Sequence, residues 1–224
     1  MKIWILGSKR RKALVTESLK QIKDVEFELV ENQDESYDFS NTMLIHGFQP
    51  PAGHLGVCRC FEGHRQVLKK ALNSSFDSKT ITVMEDDAQL LNPDKLVSSL
   101  MIAQEMITTL GYDIVCLHGR QTRLKDMQEG CYAGTQFFTT DNLLGLRLSF
   151  GCTLCYVISS EAAKTFLELP YVGIPVDILF PNFFSFALFK FSPILHDRSQ
   201  GSLVENTKPS ENTKPSTQKV GVEI

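Results

Sequence analysis

The chain has 224 residues, 42% of them hydrophobic and 22% charged, which is ample for one substantial buried core. Lys and Arg number 23 against 26 Asp and Glu, so the net charge is −3 and a strongly basic nucleic-acid binder is excluded. Collagen-like, disulfide-scaffold and wholly disordered classes are excluded by the same composition.

Residues 1–6 are predicted to form a short buried strand. Lys9, Arg10, Arg11 and Lys12 follow it. A secretory signal carries its charges before the apolar run and has a longer run. No stretch reaches the ~18 apolar residues of a membrane span. These features lead us to expect a cytoplasmic protein whose six cysteines stay reduced. A helix over residues 12–22 and a strand over 25–30 come next, then a polar loop over 32–41. Gln49-Pro50-Pro51-Ala52-Gly53 is a break.

From Cys60 the pattern changes. Phe61, His64, Leu68 and Ala71/Leu72 share one helical face. Residues 80–84 are β-rich and end abruptly in Glu85-Asp86-Asp87. Asn92-Pro93 is a helix start, with Asn as cap and Pro at the first helical position. That helix is predicted to stop at Gly111, and 112–117 is another strand. Residues 119–148 carry no clear period and are expected to be irregular. Residues 153–158 form a strand, after which Ser159 or Ser160 caps a helix bearing Ala162, Ala163, Phe166, Leu167 and Leu169. Strands alternating with helices predict an α/β domain with a mainly parallel sheet flanked by helices. Its extent is 1–204. Residues 205–224 contain the tandem repeat ENTKPS-ENTKPS, have almost nothing to bury, and are expected to form a disordered tail.

Glu85-Asp86-Asp87 is the sharpest chemical signal. Carboxylates at the end of an apolar strand are costly unless they are solvated or bind something, and open α/β sheets place ligands at strand C-terminal ends. If the strand stays extended, Glu85 and Asp87 point one way and Asp86 the other. Two hard oxygen donors suit Mn²⁺ or Mg²⁺ bridging to a diphosphate. The competing explanation is a solvated acidic turn that opens the Asn92 helix.

Gly56, Cys60, His64 and Glu85-Asp86-Asp87, in this order and spacing, resemble glycosyltransferase family 25. Its pattern runs Gly-Glu-x-Gly-Cys-x-x-Ser-His, an amphipathic helix, then a strand ending in Leu-Glu-Asp-Asp. Gly151 to Ala163, through Tyr156, Ile158 and Ser159, resembles a second block of the family, and Pro175-Val176-Asp177 resembles its Pro-Val-Asp. Ser8 and Arg11 match its Ser-x-x-Arg. Val57, Arg59 and Gly63 depart from the pattern.

The resemblance implies a GT-A-like single domain. It implies a UDP-sugar donor, commonly UDP-galactose, and a divalent metal held by Glu85 and Asp87. The acceptor would be a lipooligosaccharide or lipopolysaccharide glycan. It places Ser8, Arg11, His64 and Asp86 at the donor. Asp177, in an apolar run, is the candidate catalytic base; helix capping or a hydrogen bond that only supports a neighbouring site residue is its structural alternative. For His64 the alternative is a core histidine with a satisfied hydrogen bond. A decayed homologue that binds glycans without turnover, and a metal-dependent phosphohydrolase, are the competing functions.

Three further features bear on function. Cys58-x-Cys60 with Cys152-x-x-Cys155 suggests a zinc site, but i and i+3 diverge in a strand. Six phenylalanines between 178 and 191 are read as core, with docking on the inner membrane as the alternative. His196 and Asp197 are read as an exit loop ahead of a metal or donor contact.

Overall fold

The computed structural model describes residues 1–7, 17, 19–20, 22–23, 25–31, 55–74, 79–118, 120–121, 128–140, 150–151, 153–169 and 175–196. Ser8, Arg11, Asp197 and the repeat tail lie outside the described residues, as does Cys152 of the zinc pair considered above.

Eight strands form the central sheet. They are β1 (Lys2–Gly7), β2 (Glu26–Glu31), β3 (Thr80–Glu85), β5 (Ile114–Cys116), β7 (Gln128–Tyr132), β8 (Thr135–Thr140), β10 (Cys155–Ser159) and β11 (Phe186–Phe189), in the order β2-β1-β3-β10-β5-β11-β8-β7. Two small pairs accompany it: β4 (Ala88–Leu90) with β12 (Ile194–His196), and β6 (Arg120–Gln121) with β9 (Phe150–Gly151). The described helices are α1 (Leu55–Leu72), α2 (Pro93–Leu110), α3 (Ser160–Glu168) and α4 (Val176–Phe183). Glu17, Leu19 and Lys20 are also helical.

The expected α/β sheet is present, and six of its eight strands point one way. The exceptions are β10 and β8. β10 runs antiparallel to both of its neighbours, β3 and β5, in the middle of the sheet. β8 runs antiparallel to β11 and β7.

Alternation along each strand sends side chains to two separate cores. Trp4 and Leu6 of β1 join Val83, Cys116, Tyr156 and Leu188 on one face, under α1, α3 and α4, where Phe61, Leu68, Phe166 and Phe180 meet them. Ile3 and Ile5 join Met84, Val115, Val157 and Phe189 on the other, under α2, through Leu96, Leu100, Ala103 and Met106. Coverage on both faces explains why the inner strands are continuous apolar runs rather than alternating ones.

The caps match the sequence. Asn92 accepts from the Lys95 N–H at 3.1 Å, with Pro93 at the first helical position. Gly111, at φ 78°, ends α2 in the left-handed conformation that glycine tolerates. Ser159 caps α3 by accepting from the Ala162 N–H at 3.0 Å.

Four differences from the sequence reading stand out. α1 begins at Leu55 rather than Cys60. Residues 128–140, expected to be irregular, form the β7–β8 hairpin. The apolar run after Asp177 divides into α4 and β11. Of the six phenylalanines, Phe180, Phe184, Phe186 and Phe189 are core, while Phe183 and Phe191 are exposed.

Candidate active site

β3 is buried until Glu85, where the chain turns through Asp86-Asp87 into β4. The turn is tied to the end of β1: the Asp86 N–H donates to the Leu6 carbonyl at 2.9 Å. The Asp86 side chain is buried and packs against Gly7, so closely that a Cβ on Gly7 would land on it. Asp86 is thus built into the β1–β3 junction.

Glu85 faces the α1 side. The Thr153 hydroxyl donates to Glu85 Oε1 at 2.7 Å, and His64 Nε2 lies 3.5 Å from the same oxygen. His64 is fully buried, and its Nδ1 is 2.9 Å from the Tyr156 hydroxyl. Its ring also meets Tyr156 and Phe180, with centroids 5.6 Å and 6.3 Å away. A carboxylate only accepts, so the Nε2 facing Glu85 carries a hydrogen. In the neutral imidazole Nδ1 then accepts from Tyr156. The phenol keeps its proton, because burial first, and then the nearby thiols and Glu85, hold its pKa well above the usual value. Both expectations for His64 bear on this position: it is a core histidine with a hydrogen bond, and it touches the acidic motif. It is set behind Glu85 and reaches the site through that side chain.

Cys60 lies within electrostatic reach of three carboxylates. Its thiol is pushed well above the usual range, by burial first and then by the charges of Glu85, Asp177 and Asp87. The same Glu85 and Asp177 charges bear on Cys116. Asp177, far from Glu85 in sequence, therefore shares its neighbourhood. It lies in the first turn of α4, whose cap position is Pro175 and has no side-chain cap hydrogen bond. Oδ1 of Asp87 and Oδ1 of Asp177 are both screened from solvent.

Glu85 and Asp87 offer hard oxygen donors where β3 ends and the chain turns. Among the described residues no group of three or more His, Cys, Asp or Glu side chains is placed to hold a metal ion. Two carboxylates, Glu85 and Asp87, would supply at most part of the shell of a Mg²⁺- or Mn²⁺-type ion. The zinc alternative is unsupported among the described residues, where Cys58 is buried and Cys60 lies beside carboxylates.

The sequence reading did not single out Thr153 or Tyr156 as site residues. Its sheet of parallel strands would have put Thr153 at the far end. The reversed direction of β10 brings Thr153 to the rim where β3 ends. A cavity of about 790 Å³ lies at the opposite end, lined by Lys2, Lys79, Thr80, Ser159 and Lys164, away from the carboxylates.

No family model and no curated protein matches the sequence. Among solved structures, HddC from Yersinia pseudotuberculosis is similar at 12% identity and a TM-score of 0.36, over 92% of this chain and 79% of that one. HddC complexed with GMP-PN gives 12% and 0.34, over 86% and 70%. Mannose-1-phosphate geranyltransferase from Thermus thermophilus gives 11% and 0.35, over 83% of this chain and 58% of that one. At these scores the likenesses carry no functional argument, and the reading of the site rests on its own residues. No described helix is long and apolar enough to cross a membrane.

Proposed function

We propose that the chain is a glycosyltransferase that moves a sugar, galactose in the leading reading, from a UDP-sugar to a hydroxyl of a lipooligosaccharide or lipopolysaccharide glycan. The observation that carries this reading is Glu85 at the end of β3, held by Thr153 and beside His64, with Asp87 following it in the turn. The motif resemblance supplies the donor and acceptor classes.

In this reading Glu85 and Asp87 hold Mn²⁺ or Mg²⁺ together with the donor diphosphate. The ion, when bound, neutralises charge on the departing diphosphate. Asp177 takes the proton of the acceptor hydroxyl as its oxygen bonds to the anomeric carbon. The bond from that carbon to the diphosphate breaks, and its electron pair leaves with UDP. Thr153 and His64 fix the Glu85 carboxylate, so little reorganisation is left for the moment of reaction. Ser8 and Arg11 remain candidates for the donor phosphates, and Asp86 supports the turn from which Asp87 projects. A peripheral contact with the inner membrane, where a lipid-linked acceptor resides, belongs to the same proposal.

The test is UDP release from a panel of UDP-sugars, with and without Mn²⁺, in the wild type and in Asp87→Ala. Mn²⁺-dependent release from one sugar, lost in a folded Asp87→Ala, is the expected result. Absence of both release and metal-dependent donor binding overturns the reading. Binding without release across a wide acceptor panel favours the decayed homologue. Release of inorganic phosphate from simple phosphoesters favours the phosphohydrolase.

A further inference from the structure

Tyr156 and His64 place two polar groups in an aromatic layer. Both are fully buried, and Tyr156 belongs to the core under α1, α3 and α4. The Phe180 ring centroid lies 5.0 Å from that of Tyr156 and 6.3 Å from that of His64. A phenylalanine at position 156 would fill such a layer with no polar atom to satisfy, whereas a buried hydroxyl is costly unless it is bonded. The Tyr156 hydroxyl has one partner among the described residues, His64 Nδ1 at 2.9 Å.

Around a neutral imidazole the hydrogens of this pair have two arrangements. With the hydrogen on Nδ1, the ring donates to the phenol oxygen and the phenol hydrogen has no acceptor among the described residues. The lone pair of Nε2 then faces Glu85 Oε1 at 3.5 Å. With the hydrogen on Nε2, the phenol donates to Nδ1 and the ring turns its own hydrogen toward Oε1. Only the second arrangement gives each hydrogen an oxygen or nitrogen to face. The Thr153 hydroxyl donates to the same Oε1 at 2.7 Å, so two hydrogens from different elements, α1 and the approach to β10, meet one carboxylate oxygen.

We propose that Tyr156 is a positioning residue that acts on Glu85 through His64. By donating to Nδ1 it holds the imidazole with its Nε2 hydrogen against the carboxylate, and so keeps Glu85 in place for the metal ion of the nucleotide-sugar site. Tyr156 itself touches neither the ion nor the donor. The inference rests on the nucleotide-sugar reading above. It extends that site by one residue, set behind His64 in the core.

Calorimetry with UDP, with and without Mn²⁺, tests it in the wild type, Tyr156→Phe and Phe166→Leu. Phe166 is the packing control: it is fully buried in the same core, its ring lies 5.5 Å from Phe180, and it has no described contact with His64. Tyr156→Phe is expected to weaken Mn²⁺-dependent UDP binding about tenfold, as loss of a group that orients a metal ligand does. Phe166→Leu is expected to lose stability and keep that affinity. Nitrogen-15 correlation spectra of the wild type are expected to show the His64 hydrogen on Nε2, and those of Tyr156→Phe a shifted Nδ1 that has lost its donor. A hydrogen on Nδ1 alone in the wild type overturns the proposal, and this observation stands even where a variant fails to fold. Unchanged affinity in Tyr156→Phe, or an equal loss in Phe166→Leu, also overturns it while leaving the nucleotide-sugar reading intact. A wild type without Mn²⁺-dependent UDP binding overturns it too, and takes the nucleotide-sugar reading with it if no UDP-sugar releases UDP.

Discussion

The Thr153 hydroxyl donates a 2.7 Å hydrogen bond to Oε1 of Glu85, joining the first residues before β10 to the last residue of β3. The two side chains are held together because the middle strand of the sheet runs against its neighbours. The His64 contact with the same oxygen is longer, at 3.5 Å. Thr153→Val is therefore expected to lower Mn²⁺-dependent UDP release by about 10- to 100-fold, as loss of a supporting hydrogen bond does at metal sites. Thr153→Ser keeps the donor and is expected to stay near wild type. Equal rates in Thr153→Val and wild type would remove Thr153 from the site.

Tyr156→Phe removes one oxygen from a fully buried ring. It leaves His64 Nδ1 without its donor, in a layer walled by Phe180. Urea unfolding is expected to show a loss of about 1–3 kcal/mol, the penalty for a buried polar atom left unsatisfied. A loss under half a kcal/mol would mean that water or a rotated ring replaces the phenol.

Gly7 is needed for its missing side chain. A Cβ there would collide with the Asp86 side chain, which is buried at the β1–β3 junction. Gly7→Ala is expected to destabilise by about 1–3 kcal/mol, the cost of overpacking. Because the displaced residue precedes Asp87, metal-dependent donor binding should fall as well. Thermal unfolding and calorimetry on the same sample separate the two effects.

Glu28 sits between two lysines, 2.8 Å from Lys2 and 2.6 Å from Lys70. Their hydrogen bonds hold its pKa below the ordinary 4.5. A carboxylate with a lowered folded pKa adds stability above its unfolded value, and loses that stability as pH falls through the folded value. The three side chains are partly exposed, and with solvent screening the gain is less than about 1 kcal/mol. The stability difference between wild type and Glu28→Gln should be largest near neutral pH and shrink below about pH 4. A difference that grows with acid would contradict the assignment.

Much of this was legible in the chain. Asn92-Pro93 and Gly111 bracket α2 because capping and left-handed geometry are local demands that particular residues meet. The apolar runs of β1 and β3 announce burial on both faces. Glu85, Asp87 and Asp177 stood out because charge beside apolar sequence needs a reason. Strand direction was not legible. An isolated run such as Cys155-Tyr156-Val157-Ile158 carries no mark of which way it enters a sheet. Thr153 was therefore hidden, since it gains its meaning from a neighbour across a strand. The β7–β8 hairpin was missed because edge strands such as Gln128–Tyr132 have exposed residues and little apolar signal.

The reversed middle strand also sets an order of events during synthesis. Until residues 155–159 leave the ribosome, β3 and β5 have no partner on their facing sides, and the two halves of the sheet cannot join. The pairing of β10 with β3 closes a loop of about seventy-five residues, a long-range contact that makes folding slow. Nascent chains ending before β10 therefore carry bare, apolar strand edges on one side of β3 and on both sides of β5, of the kind that recruits other chains. This protein should depend on chaperones most in the interval between the emergence of β5 and that of β11.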